Sequence, residues 1–193
     1  DVSRATTLGL DPAAFTTDVD ELIADPRVEV VIELIGGTGA AKDVVLKALR
    51  AGKSVVTANK ALMASSGQDV MEAAAAAGVD IMFEASVGGG IPIIGPLKHS
   101  LVSNEIMAVT GIVNGTTNYM LTRMADDGLD YATALAEAQA KGYAEADPTA
   151  DVDGLDAAAK IAILASIAFN SRVTVGQVPA EGIRAITPTD IAY

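Results

Sequence analysis

Cysteine is absent from this chain of 193 residues, and histidine occurs once. The first absence rules out disulfides, thiolate nucleophiles and cysteine-ligated zinc. The second leaves His99 as the single imidazole. It follows a lysine on an amphipathic segment, where a structural or exposed role is the ordinary one. Basic clusters are lacking as well: the net charge is −12 and the pI about 4.3, so nucleic acid and anionic membrane surfaces are poor partners. No secretory signal and no apolar run of bilayer length occur. The chain does not start with methionine, Asp1 lies in a stretch that begins no recognisable element, and the last residues stop as a helix begins; the chain therefore reads as a fragment. Half of its residues are hydrophobic, enough to bury a core as one domain or as parts of two. A cytoplasmic enzyme or binding protein fits these limits.

Residues 18–27, DVDELIADPR, read as a short acidic helix stopped by Pro26. The β-branched run VEVVIELI, 28–35, suits a strand buried on both faces of a parallel sheet. Gly36, Gly37 and Gly39 follow, then a helix to about Arg50, Gly52, and a second buried strand, SVVTAN, at 54–59. This is a βαβ unit. A helix at 64–77 closed by Gly78 and a third strand, VDIMFEASV at 79–87, extend it into a parallel α/β sheet. Ligands of open α/β sheets bind beyond the carboxyl ends of the strands. That places Gly36 and Gly37 after one strand, and Thr57, Asn59 and Lys60 after the next, among the candidates. GGTG is not GxGxxG, and many strand-to-helix turns need glycine, so it is weak evidence for a nucleotide by itself. Lys60 reads either as a solvated lysine at a helix start or as a functional group at a strand end.

From SVGGGIPIIGPL onward glycine and proline mark a crossing between domains, placed at 1–87 and 88–193. The second part reads as a helix within 91–100 after Pro92, a strand at 105–113 (EIMAVTGIV), and a helix capped by Thr116 or Thr117. A helix at 131–140 ended by Gly142 comes next. An acidic loop then leads into an apolar helix reaching Phe169. The tail holds a short strand, RVTVGQV, and the start of a further helix in GIRAITPTDIAY.

The stretch 141–160, KGYAEADPTADVDGLDAAAK, is the most unusual. Asp156 and Lys160 stand four residues apart at the start of a helix that is otherwise apolar as far as Phe169. An exposed pair at this spacing is common and weak; at the mouth of a buried helix the same two charges must be paired or used. DVDG suggests a calcium loop, but with Gly154 as its turn glycine the first ligand position falls on Thr149 and the twelfth on Lys160, which excludes it.

GGTGAAKDVVLKALRAGKSVVTANKALMA, FEASVGGGIPIIGPL, GIVNGTTNYML and GYAEADPTADVDGLDAAAK, in this order, resemble homoserine dehydrogenase over nearly the whole chain from about Val28. The resemblance implies an α/β fold: part of a Rossmann-type parallel sheet, followed by an α+β substrate-binding and oligomerisation domain. It implies reduction of L-aspartate 4-semialdehyde to L-homoserine with NADP or NAD, in a homodimer or larger homo-oligomer. Lys160 matches the proton donor of that family, and burial would lower its pKa toward the working range. Asp156 matches a substrate-binding aspartate and Glu145 the principal substrate carboxylate, with Asp151 and Tyr143 flanking the pocket and Gly115 and Thr116 lining it. Lys60 matches a lysine between cofactor and substrate, Gly36 and Gly37 the loop beside the cofactor, and Gly142 a backbone contact to it. Glu84, Val87, Gly89 and Ile91 match a loop that binds a monovalent cation, usually sodium, largely through carbonyl oxygens. The family's first strand and glycine-rich phosphate loop lie outside this sequence, so the 193 residues alone are expected to bind pyrophosphate poorly and to show little activity. Another dehydrogenase of the same plan, or a truncated non-catalytic homologue that keeps the oligomer surface, are the competing readings.

Overall fold

A computed structural model describes residues 7–9 and 11–193. The reading of Asp1 and its neighbours as beginning no element lies outside the described residues. The chain divides after Ser86 into two compact units.

In the first unit a short helix, α1 (Val19–Ala24), is capped by Asp18, whose carboxylate accepts from the N–H groups of Asp20 and Glu21. Asp25 turns to extended backbone ahead of Pro26, as a residue before proline must. Three parallel strands follow, β1 (Val30–Glu33), β2 (Ser54–Thr57) and β3 (Ile81–Met82), in that spatial order. Val30 pairs with Ser54 and Glu33 with Thr57, and Val55 pairs with Ile81. The crossover helices are α2 (Ala40–Arg50) and α3 (Lys60–Ala77). Ala41, Val45, Ala48 and Leu49 form the buried stripe of α2, the i, i+4, i+7, i+8 pattern of an amphipathic helix. Within α3 the backbone departs from helical values at Ser66, in a Ser-Ser-Gly run of the kind that permits kinks.

The parallel α/β reading holds, with two corrections to its strands. β1 is covered on one face only: Val31 and Glu33 point inward, while Val30 and Ile32 are 51% and 66% exposed. Successive right-handed crossovers that advance in one direction lay both helices on the same face, so the alternate residues stay uncovered. The third strand pairs only at Ile81–Met82, because Phe83 O accepts from the N–H and hydroxyl of Ser86 and the chain turns into a 3-10 helix at Glu84–Ser86.

The second unit opens with a loop and a π-helical turn, Pro96–Ser100. The strand expected at 105–113 does not form, and Met107 and Ile112 are exposed; a strand needs a neighbour to take up its N–H and C=O groups, and the described strands all lie in the first unit. The helix α4 (Gly115–Asp127) is capped by Asn114, not by Thr116 or Thr117: Asn114 Oδ1 accepts from Thr117 N at 2.8 Å. It packs on α5 (Tyr131–Ala140), burying Met120, Met124, Ala134 and Ala138 with Ala144 and Val152. The single turn α6 (Thr149–Val152) leads through Gly154 into α7 (Leu155–Ala168), whose buried residues include Asp156, Ala158, Ala159, Ala162, Ile163 and Leu164. The expected strand at 172–178 is a 3-10 turn, Val175–Gln177, closed by a capping box between Thr174 and Gln177. The final helix is α8 (Pro188–Ala192). Among the described residues no helix is long and apolar enough to cross a membrane.

Candidate functional site

The first unit gathers its candidates where β1 and β2 end. Gly36 and Gly37 follow β1 with φ of 80° and 73°, left-handed values that suit glycine. An added Cβ at either meets nothing within 4 Å, so the loop presents an open main-chain surface. Thr57, the last residue of β2, is buried, and Asn59 caps α3 by accepting from Leu62 N at 3.0 Å. The other end of the Asn59 side chain donates to Gly37 O at 2.8 Å, which ties the start of α3 to the glycine loop. Lys60 is the first residue of α3 and half-buried.

Sequence reading passed over the group at the centre of this arrangement. Glu33, 2% exposed, accepts Ile35 N at 2.7 Å and Gly36 N at 2.9 Å on one oxygen, and the Thr57 hydroxyl at 2.5 Å on the other. Burial opposes its charge, but the Thr57 hydroxyl and the N–H groups of Gly36 and Ile35 outweigh that and hold the carboxyl below the usual glutamate range. The signal available was a carboxylate inside an apolar strand run, three residues ahead of Gly36.

The second unit gathers Asp151, Asp156 and Lys160. Lys160 Nζ donates to Asp156 Oδ2 at 2.7 Å and to Val113 O at 2.6 Å. The side chains are 17% and 6% exposed, so the buried alternative for this pair is the observed one. An ammonium has three donors, and these two bonds leave one N–H for a ligand. Asn114 Nδ2 donates to Asp151 Oδ1 at 2.7 Å and to Asp156 Oδ2 at 2.9 Å. Asn114 was missed in sequence because the helix cap was assigned to Thr116 or Thr117, and its reach to Asp151 and Asp156 is tertiary.

Around this cluster, Thr116 donates from its hydroxyl to Tyr143 O at 2.7 Å, and the Tyr119 and Tyr143 rings meet edge to face with centroids 4.9 Å apart. Gly115 is the first residue of α4. Gly142 takes φ 74° just past α5. Glu145 is exposed, and its main-chain carbonyl accepts from Gln139 Nε2 at 3.0 Å; its carboxylate is not part of the Asp151–Asp156–Lys160 cluster's hydrogen bonds. Glu137 is engaged by Tyr119, Lys141 and Arg123, in that order of effect, and held at about 2.

Of the candidate cation loop, Glu84 lies in the 3-10 turn that closes the first unit, while Val87, Gly89 and Ile91 belong to the second. Val87 is buried, Ile91 is exposed, and Ile91 N donates to Gly88 O at 2.7 Å. Among the described residues no group of three or more His, Cys, Asp or Glu side chains is placed to hold a metal ion.

The arrangement can therefore offer a proton from a buried ammonium and acceptors for an amine in one unit, and an open glycine loop at a sheet's carboxyl edge in the other. Comparison with known proteins gives this geometry its relatives. Residues 92–193 match the family model described as homoserine dehydrogenase, and residues 2–84 match the one described as homoserine dehydrogenase, NAD binding domain. The homoserine dehydrogenase of Synechocystis sp. is 52% identical over 186 residues, covering 96% of this chain and 43% of that protein. The crystal structure of a homoserine dehydrogenase from Thiobacillus denitrificans superposes with a TM-score of 0.93 at 44% identity, covering 100% of this chain and 44% of the other. A hyperthermophilic archaeal homoserine dehydrogenase in complex with NADPH matches with a TM-score of 0.80 at 28% identity, over 95% of this chain and 58% of that one. The chain spans less than half the length of the curated relative it matches.

Proposed function

This chain belongs to the homoserine dehydrogenase family, and on that footing we propose that the protein carrying it reduces L-aspartate 4-semialdehyde to L-homoserine with Lys160 as proton donor. The observation that carries the proposal is the hydrogen bond from the buried Lys160 ammonium to Asp156, with a further N–H left for substrate. NAD(P)H, when bound, supplies the hydride that reduces the aldehyde carbon. The open backbone at Gly36 and Gly37 suits contact with a flat ring or sugar. It is a poor pyrophosphate cradle, because the N–H groups of Ile35 and Gly36 are already committed to Glu33.

Reduction turns the carbonyl oxygen into a developing alkoxide that needs a proton within hydrogen-bond reach. Lys160 gives that proton from Nζ and regains one from solvent. Asp156 holds the ammonium in place and, with Asp151 beside it on Asn114, binds the polar end of the substrate. Glu145 takes the substrate ammonium, and Tyr143, Gly115 and Thr116 line the pocket. Thr57, Asn59, Gly142, Gly36 and Gly37 serve the cofactor. Lys60 contacts either cofactor or substrate and is the second candidate for proton transfer.

In the same reading, residues 1–87 are part of the NAD(P)-binding domain and 88–193 the catalytic and dimerisation domain of a cytoplasmic homo-oligomer. Carbonyl oxygens of Val87, Gly89 and Ile91, with Glu84, would hold a sodium ion, since such oxygens suit a hard cation.

The decisive measurement is aldehyde-dependent NADPH oxidation by the full-length protein, wild type against Lys160→Met. Full-length wild type without that activity overturns the proposal.

A further inference from the structure

β1 ends on a carboxylate that the reaction above leaves without a task. Burying a carboxylate is costly unless hydrogen bonds replace its water, and Glu33 has them from the loop after β1 and from the end of β2. One oxygen takes the N–H groups of Ile35 and Gly36; the other takes the Thr57 hydroxyl. Thr57 Oγ1 in turn accepts Asn59 N at 2.9 Å, and Asn59 closes the ring by donating to Gly37 O. A hydrogen-bonded circuit thus runs from the glycine loop through Glu33, Thr57 and Asn59 back to the glycine loop. The cap of α3, just before Lys60, sits inside it.

Core packing alone does not call for this residue. The neighbouring inward position on β1 is Val31, and on β2 it is Val55; an aliphatic side chain at 33 would continue that pattern. What a carboxylate adds is direction: it pulls two successive N–H groups inward and fixes which way the two peptides leading into Gly36 face. Glycine at left-handed φ has little intrinsic preference for that orientation.

We propose that Glu33 is a positioning residue for the nicotinamide cofactor, orienting the Gly36–Gly37 backbone and, through Thr57 and Asn59, the start of α3 at Lys60. The inference rests on the cofactor side of the function proposed above.

The test is a fluorescence titration of full-length protein with NADPH, beside steady-state KM values for NADPH and for the aldehyde and melting temperatures, for wild type, Glu33→Ala and Glu33→Gln. Glu33→Ala strands two N–H groups and a hydroxyl; its NADPH dissociation constant should rise about tenfold or more, while KM for the aldehyde stays within about twofold. Glu33→Gln keeps an acceptor for the two N–H groups but turns an NH2 toward a Thr57 oxygen that already accepts Asn59 N. A loss of about threefold is expected there, intermediate because one half of the circuit survives. If Glu33→Ala does not fold, the glutamine variant carries the test. Wild-type NADPH affinity in the folded variants overturns the proposal. So does a lowered melting temperature with both KM values raised equally, which marks a purely structural role. A wild type that binds NADPH yet reduces no aldehyde sinks the proposed function and leaves this titration readable.

Discussion

Lys160 donates to Asp156 across one turn of α7 at 2.7 Å, in a place where the aspartate is 6% exposed. A pair so placed differs from the many i,i+4 pairs on helix surfaces, because removing one partner leaves the other as a buried, uncompensated charge. The Arg123–Asp127 pair on α4, with side chains 34% and 45% exposed, has the same spacing and carries no such consequence.

Lys160→Met should therefore lower turnover by about 100-fold or more with KM for the aldehyde within about threefold, as expected when a general acid is lost. It should also cost about 2 kcal/mol of stability, since the buried Asp156 carboxylate loses its cationic partner. Glu145→Leu should do the reverse, raising KM more than it lowers turnover. Steady-state kinetics with melting curves check both, and wild-type turnover in Lys160→Met would remove it as the donor.

Asn114 has two separable jobs: it caps α4 through Oδ1 and holds Asp151 and Asp156 through Nδ2. Asn114→Ala should lose both, with about 1 kcal/mol from the cap. Asn114→Ser keeps an adequate cap but cannot bridge two carboxylates. The serine variant should recover part of the melting temperature and none of the aldehyde KM; recovery of both would show that Asn114 acts on the helix alone.

Gly182 is required by close approach rather than by φ. A Cβ there would lie 2.6 Å from Val152 O and 2.9 Å from Asp153 Cα, beside the bond from Ile183 N to Val152 O. Gly182→Ala should cost about 2 kcal/mol because backbone must move. Gly176→Ala, which meets nothing within 4 Å, should stay within about 0.5 kcal/mol. Equal chemical-denaturation midpoints would contradict the contrast.

Glu137 gives a pH dependence with a definite sign. Tyr119 first, then Lys141 and Arg123, lower its pKa from the ordinary 4.5 to about 2. A depressed carboxyl stabilises the folded state fully above its unfolded pKa and loses that contribution as protons fill it on the way down. The melting temperature of wild type should exceed that of Glu137→Gln at pH 6, and the gap should close between about pH 4.5 and pH 2. A gap that widens on acidification would contradict the assignment.

The limits of α2 and α5 and the stop of α7 at Phe169 were legible residue by residue, because glycines, caps and the 3.6-residue period act within a turn or two of chain. The Asp156–Lys160 contact belongs with them, since i and i+4 share a helix face in any helix. Matters decided over distance were not legible. Residues 105–113 read as a strand and form none, because a strand exists only where a second strand meets it. Glu33 lies inward by strand parity and crossover direction, neither of which its own neighbours specify. Asn114 reaches Asp151 and Asp156 from 37 and 42 residues away, and Gly182 is held to glycine by the Val152 carbonyl at the end of α6. Local backbone preference is written in adjacent residues; which buried polar groups satisfy one another depends on how the chain packs.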